Sequence, residues 1–86
     1  MEDYTYYTLY LAEDCPYCVS ALDLARSSGV EYYAQFLEWE SPILLEAKEK
    51  YNHSTVPVVI ETRVTNGESN ERLIGGYTEF AAHLEE

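Results

Sequence analysis

The stretch from Tyr6 to Gly29, YYTLYLAEDCPYCVSALDLARSSG, decides the fold of this chain. Its first part, YYTLYL, is aromatic and β-prone, so it predicts a strand that is buried on at least one face. From Pro16 onward, apolar side chains recur at helical spacing, and Gly29 is suited to end the helix. Cys15 and Cys18 lie where the predicted strand gives way to the predicted helix. Strand, cysteine pair and helix together predict the start of an α/β domain.

The next segments continue the alternation of strands and helices. Residues 31–37, EYYAQFL, are short, aromatic and apolar, and they predict a second strand parallel to the first through a right-handed crossover. Ser41 is a cap residue before Pro42 and opens a second helix. The apolar stripe of that helix predicts that it runs to about Asn52.

Residues 58–74 are expected to form a β-hairpin. Asn66-Gly67 is the dipeptide preferred in two-residue type I′ turns, and apolar segments flank it on both sides. A turn centred there predicts a register with these opposed pairs: Thr65 with Glu68, Glu61 with Arg72, Ile60 with Leu73 and Val59 with Ile74. After Gly75-Gly76, Thr78 is expected to cap a last short helix.

The predicted order is β-α-β-α-β-β-α within a single domain that spans residues 1–86. The chain carries 16 Asp and Glu against 5 Lys and Arg, a formal net charge of −11. This charge repels phosphate backbones and anionic lipid headgroups, so we expect neither nucleic acid nor membrane surfaces as partners. An apolar run of about 18 residues and the features of a signal peptide are both missing. We therefore expect a cytoplasmic location.

The two cysteines carry the predicted chemistry, and the sequence contains no others, which excludes a framework of several disulfides. His53 and His83 do not stand at zinc-finger spacing from them, so no metal site is expected. At the N-cap of the first helix, Cys15 meets unpaired N–H groups and the positive end of the helix dipole, which favour the thiolate. Cys18 lies one turn inside, within bridging distance. The pair predicts a reversible dithiol in which Cys15 attacks disulfides and Cys18 resolves the intermediate.

Three motifs of the chain together resemble those of glutaredoxins. They are Cys15-Pro16-Tyr17-Cys18, Thr55-Val56-Pro57 and Gly75-Gly76-Tyr77-Thr78, each at the element junction where that family carries it. The resemblance extends from about Tyr6 to His83. It implies an α/β, thioredoxin-like fold with a four-stranded mixed sheet and three helices.

The resemblance also implies a binding site for glutathione. The bond before Pro57 would be cis, and the backbone of Val56 would face a groove and pair with the cysteine part of glutathione. Thr78 would bind the γ-glutamyl carboxylate, and Glu79 stands where the family typically has an Asp that reaches the amino group. The residues expected to contact the substrate are Pro16, Tyr17, Thr55, Val56, Pro57, Gly76, Tyr77, Thr78 and Glu79.

The implied activity is the reduction of protein disulfides and protein–glutathione mixed disulfides, with glutathione as co-substrate and no tightly bound cofactor. Residues 75–82, GGYTEFAA, are similar to small bacterial and phage glutaredoxins that donate electrons to ribonucleotide reductase. The protein is expected to act as a monomer. Three alternatives stay open: recharging by thioredoxin reductase, binding of an iron–sulfur cluster through Cys15 and glutathione, and a redox-inert interaction domain.

The chain departs from the family pattern in front of the cysteines and at the hairpin. Many glutaredoxins carry Lys or Arg three residues before the nucleophile, where it meets the glycyl carboxylate of glutathione, but this chain has Ala12. Lys50 or His53 is expected to replace that cation if it points into the groove. Without a cation, anionic glutathione should bind weakly to this acidic protein. The hairpin tip around Asn66-Gly67 is expected to be longer than usual, with a role in partner contact or edge protection.

Overall fold

The computed structural model describes residues 3–85; Met1, Glu2 and Glu86, which the predicted domain includes, lie outside the described residues. The elements follow the predicted order: β1 Tyr4–Ala12, α1 Pro16–Ser28, β2 Tyr32–Leu37, α2 Pro42–Lys50, β3 Val58–Thr65, β4 Glu68–Gly75 and α3 Tyr77–Leu84. Of the helices in the described range, none is long and apolar enough to cross a membrane.

The four strands form one mixed sheet in the order β2-β1-β3-β4. β1 runs parallel to β2 and antiparallel to β3, and β3 runs antiparallel to β4. Tyr10 pairs with Val58, so the end of β1 lies next to the start of β3. The cysteine motif after β1 and the Thr55-Val56-Pro57 motif before β3 are therefore brought to the same edge of the sheet. The predicted fold class is confirmed.

The β3–β4 hairpin follows the predicted register as far as Ile60. Asn66 and Gly67 form the turn at positive φ (53° and 82°), as a type I′ turn requires. Three predicted pairs are present: Thr65 with Glu68, Glu61 with Arg72 and Ile60 with Leu73. The turn itself has only two residues, so the length of the hairpin comes from its strands and not from an extended tip.

The fourth predicted pair is wrong, since Val59 lies opposite Gly75 and not opposite Ile74. An irregularity between Val59 and Ile60 leaves Ile74 as an extra residue on β4, which is the pattern of a β-bulge. Gly75 follows at φ 129°, a conformation that side chains other than hydrogen rarely allow. The bulge lies directly before the Gly-Gly motif and sets the direction in which the chain enters α3.

The first two helices begin where the sequence predicts. Cys15 is the N-cap of α1, and Gly29 ends that helix in the left-handed region at φ 72°. Ser41 is the N-cap of α2, although its side chain makes no capping hydrogen bond. α2 ends at Lys50 and not at about Asn52, because Asn52 adopts φ 51° and turns the chain away.

The third helix begins two residues earlier than predicted. Gly76 is its N-cap, so the expectation that Thr78 caps the helix is wrong; Thr78 lies in the first turn. The side chain of Glu79 satisfies the backbone instead, since the Gly76 N–H donates to Glu79 Oε1 at 2.7 Å. A carboxylate in the first turn also complements the positive end of the helix dipole.

Buried side chains form two clusters, one on each face of the sheet, as the alternation of side chains along the strands requires. The cluster beneath α1 and α3 consists of Tyr7, Leu9, Leu11, Cys18, Ala21, Ala25, Val59 and Phe80. The cluster beneath α2 consists of Ala12, Leu37, Leu44, Val58 and Ile60. Cys18 belongs to the core, whereas Cys15 packs only against its edge.

Candidate active site

The turn between β1 and α1 presents Cys15 at the surface. Asp14 adopts a left-handed conformation at φ 54°, and Cys15 follows in an extended conformation as the N-cap of α1. Its Sγ accepts a hydrogen bond from the backbone N–H of Cys18 at 3.2 Å, and the residue is half-buried. Because the first N–H groups of a helix lack partners inside it, this position stabilises a negative charge on sulfur.

Cys18 occupies the opposite environment. Its side chain is fully buried, and its Sγ accepts a hydrogen bond from the Ala12 N–H at 3.5 Å. Burial, together with the hydrogen bond to Cys15, raises the pKa of Cys18 to about 12, although the Ala12 N–H acts in the other direction. Cys18 is therefore a protonated thiol at neutral pH, and Cys15 is the one of the two thiols that is accessible from the surface. Neither cysteine is bridged in this structure.

A groove of two adjoining hollows surrounds the cysteine motif. One hollow, of about 340 Å³, is lined by Tyr17, Thr55, Val56, Pro57, Gly76, Tyr77, Thr78 and Glu79. The other, of about 330 Å³, is lined by Asp14, Cys15, Pro16, Trp39, Ser54, Thr55 and Val56. Thr55 and Val56 border both hollows, so the two form one continuous surface. All nine residues that the sequence predicts to contact substrate line this groove, and so does Cys15; Cys18 lies beneath it.

The floor of the groove is the segment before β3. The Val56–Pro57 peptide bond is cis, as the resemblance implies. Among residues 3–85, no group hydrogen-bonds to the backbone N–H or C=O of Val56, which is half-buried in the groove. Backbone groups in such a place need an external partner, either water or an extended peptide. The segment is therefore able to pair with the main chain of a bound peptide.

Aromatic side chains form the walls of the groove. Tyr17 and Tyr77 lie together on one side, with ring centroids 6.2 Å apart. Trp39 stands on the other side, and its Nε1–H donates to the backbone oxygen of Glu13 at 3.1 Å. Lys48 Nζ lies 5.6 Å from the centroid of the Trp39 ring. Trp39 thus ties the loop after β2 to the loop that carries the cysteines.

Three lining residues, Asp14, Trp39 and Ser54, were not among the residues predicted to contact substrate. Asp14 and Ser54 are sequence neighbours of predicted site residues, so adjacency was an available signal. Trp39 follows β2, whose end lies beside the end of β1 because the two strands are parallel. Ligands of open α/β sheets bind outside the carboxyl ends of the strands, so the position of Trp39 just after β2 was an available signal.

The charges that line the groove are all negative. Asp14 and Glu79 are exposed carboxylates, and no Lys, Arg or His of the described chain lines either hollow. Ala12, at the position of the family's cation, is buried against the α2 cluster. Lys50 lies elsewhere, with Nζ 3.6 Å from Glu71 Oε2. His53 Nε2 lies 3.3 Å from Thr55 Oγ1, so His53 contacts the rim without lining the groove.

Metal ligands are not grouped in the described chain. Among residues 3–85, no three His, Cys, Asp or Glu side chains are placed so that they could hold a metal ion. An iron–sulfur cluster held by Cys15 and glutathione needs no such group, so that alternative is left to experiment.

The family profile of glutaredoxins matches residues 4–64, which is more than half of the chain. The chain belongs to the glutaredoxin family. A search of curated protein sequences finds no match. Glutaredoxin membership implies thiol–disulfide oxidoreductase activity, and it agrees with the exposed and buried pair of cysteines described above.

Solved structures share the fold of this glutaredoxin at low sequence identity. Glutaredoxin 1 from Francisella tularensis, solved with cacodylate, is 20% identical and superposes with a TM-score of 0.69 over 94% of this chain and 93% of its own. A thioredoxin from Thermus thermophilus is also 20% identical, with a TM-score of 0.57 over 95% of this chain and 72% of its own. Both confirm the thioredoxin-like fold.

Proposed function

We propose that this glutaredoxin reduces protein disulfides and protein–glutathione mixed disulfides, with glutathione as its reductant. The observation that supports the proposal most directly is the contrast between the two sulfurs. Cys15 opens on the groove and receives an N–H hydrogen bond at 3.2 Å, whereas Cys18 is buried and protonated. This arrangement suits one cysteine to attack a substrate and the other to wait until the intermediate has formed.

With a protein disulfide, the reaction proceeds in two displacements. The Cys15 thiolate attacks one substrate sulfur, so that a Cys15–substrate disulfide forms, the substrate S–S bond breaks and one substrate thiolate leaves. Cys18 then loses its proton and attacks Cys15 Sγ, which forms the Cys15–Cys18 bridge and expels the second substrate thiolate. One released thiolate takes up the proton from Cys18, and the other equilibrates with water. The substrate gains the two electrons that the cysteine pair loses.

Glutathione restores the dithiol by the same chemistry. One glutathione thiolate opens the bridge by attack on Cys15 Sγ, and a second attacks the resulting Cys15–glutathione disulfide to release oxidised glutathione. With a glutathionylated protein, Cys15 alone suffices: it takes the glutathione, and the protein leaves as a thiol. Cys18 is required only where a protein disulfide must be resolved.

The groove supports the binding of a tripeptide with an extended backbone. The free N–H and C=O of Val56 are suited to pair with the cysteine residue of glutathione. We assign Thr78, in the first turn of α3, to the γ-glutamyl carboxylate, and Glu79 Oε2, which is free of the capping bond, to the amino group. The glycyl carboxylate meets no cation, so glutathione binding should be weak.

Two finer assignments rest on the resemblance and the chemistry. We take ribonucleotide reductase as one protein substrate, on the strength of residues 75–82. Glutathione is a reductant of reducing compartments, and we place the protein in the cytoplasm for that reason. The proposed reaction depends on neither assignment, so it would still stand if either one were wrong.

A coupled assay tests the proposal. The substrate is bis(2-hydroxyethyl) disulfide, a neutral disulfide that contains no glutathione, and the reductant is either glutathione with glutathione reductase or thioredoxin reductase alone. We expect turnover with glutathione and a KM for glutathione that falls between about 0.01 M and about 1 M ionic strength, because salt screens the repulsion between two anions. Turnover with thioredoxin reductase only would show that thioredoxin reductase, and not glutathione, is the reductant. Visible absorbance after anaerobic purification would instead favour the iron–sulfur alternative.

A further inference from the structure

Most cations of this protein are engaged away from the groove. Four of the five Lys and Arg have partners elsewhere: Arg26 with Asp23, Lys50 with Glu71, and Arg63 and Arg72 with Glu61; the fifth, Lys48, lies against the Trp39 ring at the groove wall but does not line either hollow. The groove retains only Asp14 and Glu79 as charged lining residues. Its field is therefore negative at the position where substrate sulfur must approach Cys15, and the net charge of −11 adds to that field.

The two carboxylates stand in different hollows of the groove. Asp14 directly precedes Cys15 and lines the hollow that holds the reactive sulfur. Glu79 lines the other hollow, beyond Val56, and only one of its oxygens is used in the bond to Gly76. A peptide that binds along Val56 with its sulfur at Cys15 would therefore pass Asp14 in one hollow and Glu79 in the other.

The aromatic walls of the groove also suit positive side chains. Trp39 already holds the ammonium group of Lys48 at 5.6 Å from its ring centroid, which is the spacing of a cation–π contact. Tyr17 is 64% exposed beside Tyr77, so its ring is open to a ligand. Aromatic faces combined with carboxylates bind Lys and Arg side chains better than either feature alone, because the ring covers the stem while the carboxylate meets the charge.

We propose that the groove selects protein disulfides whose cysteines are flanked by Lys or Arg. The inference rests on the proposed disulfide reduction and names its substrate class. Asp14 and Glu79 are the residues that determine the specificity, and Trp39 and Tyr17 provide the walls. The reaction itself is unchanged: the substrate S–S bond breaks, the Cys15–Cys18 bridge forms, and the peptide leaves as two thiols.

The experiment compares two symmetric peptide disulfides of the same length. Each peptide has one Cys, with Lys on both sides in one substrate and Glu on both sides in the other. Reduced protein is mixed with each peptide in a single turnover without glutathione, and formation of the Cys15–Cys18 bridge is followed by acid quench and mass spectrometry. We expect the Lys peptide to react at least about tenfold faster at about 0.01 M ionic strength, and the ratio to shrink at about 1 M.

Charge-neutral variants separate the groove from the overall charge. In D14N, the Asn tolerates the left-handed backbone at φ 54° as Asp does. In E79Q, the amide oxygen of Gln can accept the hydrogen bond from the Gly76 N–H in place of the carboxylate oxygen. The matched control is E49Q with E68Q, two exposed carboxylates that line neither hollow. The pair D14N with E79Q should reduce the ratio of the two rates about fourfold or more, whereas the control pair should leave it nearly unchanged.

The outcomes distinguish the two proposals. Equal rates for the two peptides, or an equal loss of the ratio in both double variants, would overturn the inference while the disulfide reduction stood. Failure of the reduced protein to oxidise with both peptides and with bis(2-hydroxyethyl) disulfide would overturn the proposed function instead. A higher rate with the Glu peptide would show that an uncounted positive field dominates and would also overturn the inference.

Discussion

The carboxylate of the buried cluster around Glu61 and the carboxylates of the groove lie in opposite environments. Glu61 is 1% exposed, and its oxygens receive Arg72 Nε at 2.9 Å, Arg63 Nε at 3.0 Å, His83 Nε2 at 2.7 Å and the Tyr7 hydroxyl at 3.2 Å. The groove carboxylates are exposed and have no cation within the lining. The same side-chain chemistry thus meets several cations in one region and none in the other, where the Gly76 N–H on Glu79 is the hydrogen-bond partner.

The difference follows from burial. A carboxylate that is removed from water must be hydrogen-bonded and paired, since the loss of hydration costs several kcal/mol, whereas an exposed carboxylate is hydrated and needs no partner. With only five Lys and Arg available, the chain places two of them on Glu61. Two of the cations are therefore used to stabilise the buried carboxylate. The charged residues that line the groove are all negative, and our specificity proposal depends on that property.

The largest expected effect comes from the groove sulfur. Cys15→Ser should abolish turnover of every disulfide substrate, because no other exposed thiol remains. Cys18→Ser should retain turnover of a glutathione mixed disulfide and lose the resolution of protein disulfides; the serine hydroxyl can still accept from the Ala12 N–H. Steady-state assays of both variants on both substrates check this. Turnover by Cys15→Ser would reverse the assigned roles.

The second effect tests the buried side of the comparison. Glu61→Gln should lower the free energy of unfolding by roughly 1–3 kcal/mol, because one buried acceptor of charged hydrogen bonds becomes an amide. Arg63 and Arg72 are more than half exposed and remain hydrated, which limits the loss. Urea unfolding measures the change, with Glu68→Gln at the exposed hairpin tip as the matched control. Equal effects of the two substitutions would mean that the cluster adds no stability.

The same variant predicts a dependence on pH. Burial raises the pKa of Glu61, but hydrogen bonds from Arg72 and His83 and the charges of the two arginines outweigh it and hold that pKa below its usual range. The contribution of Glu61 to stability is therefore complete above the unfolded pKa of about 4.3 and is lost as the pH falls through the lower folded value. Wild-type protein should lose more stability than Glu61→Gln between pH 6 and 3. Parallel curves would contradict this.

A moderate effect is expected when a cation is added to the groove. Ser54 is exposed and lines the hollow that holds Cys15, so Ser54→Lys should lower the KM for glutathione about two- to fivefold. Ser28→Lys, at the exposed end of α1, makes the same change in net charge outside the groove. The coupled glutathione assay compares them, and an equal gain in both variants would assign the effect to overall charge.

The smallest effect is expected for Lys50. Its ammonium group lies 3.6 Å from Glu71 on the surface, away from both hollows. Lys50→Gln should change neither the midpoint of urea unfolding nor the KM for glutathione by a measurable amount, because an exposed ion pair contributes little. A rise in KM would show that this lysine reaches the substrate after all.

Much of the groove was predictable because its residues lie at junctions between elements. Strand ends, helix starts and the turn at Asn66-Gly67 are encoded by neighbouring residues, so the elements, most of the hairpin register and nine of the residues that line the groove followed from the sequence and the family motifs. The pairing of Glu61 with Arg72 also followed, from the register. The bulge at Ile74 and the shift of the α3 cap from Thr78 to Gly76 did not, because both depend on how the chain must turn to pack α3.

The sequence by itself determined which residues would meet at one end of the sheet, because local spacing and the order of strands bring the cysteine, Thr-Val-Pro and Gly-Gly motifs together. Only the tertiary structure decided which carboxylates are buried with cations and which are exposed. It also placed Lys50 beside Glu71, away from the groove, and Trp39 in the wall of the groove. Burial is a property of the packed chain and not of any segment, and the cost of dehydrating a charge depends on burial. The charge of the groove is accordingly a consequence of the whole fold.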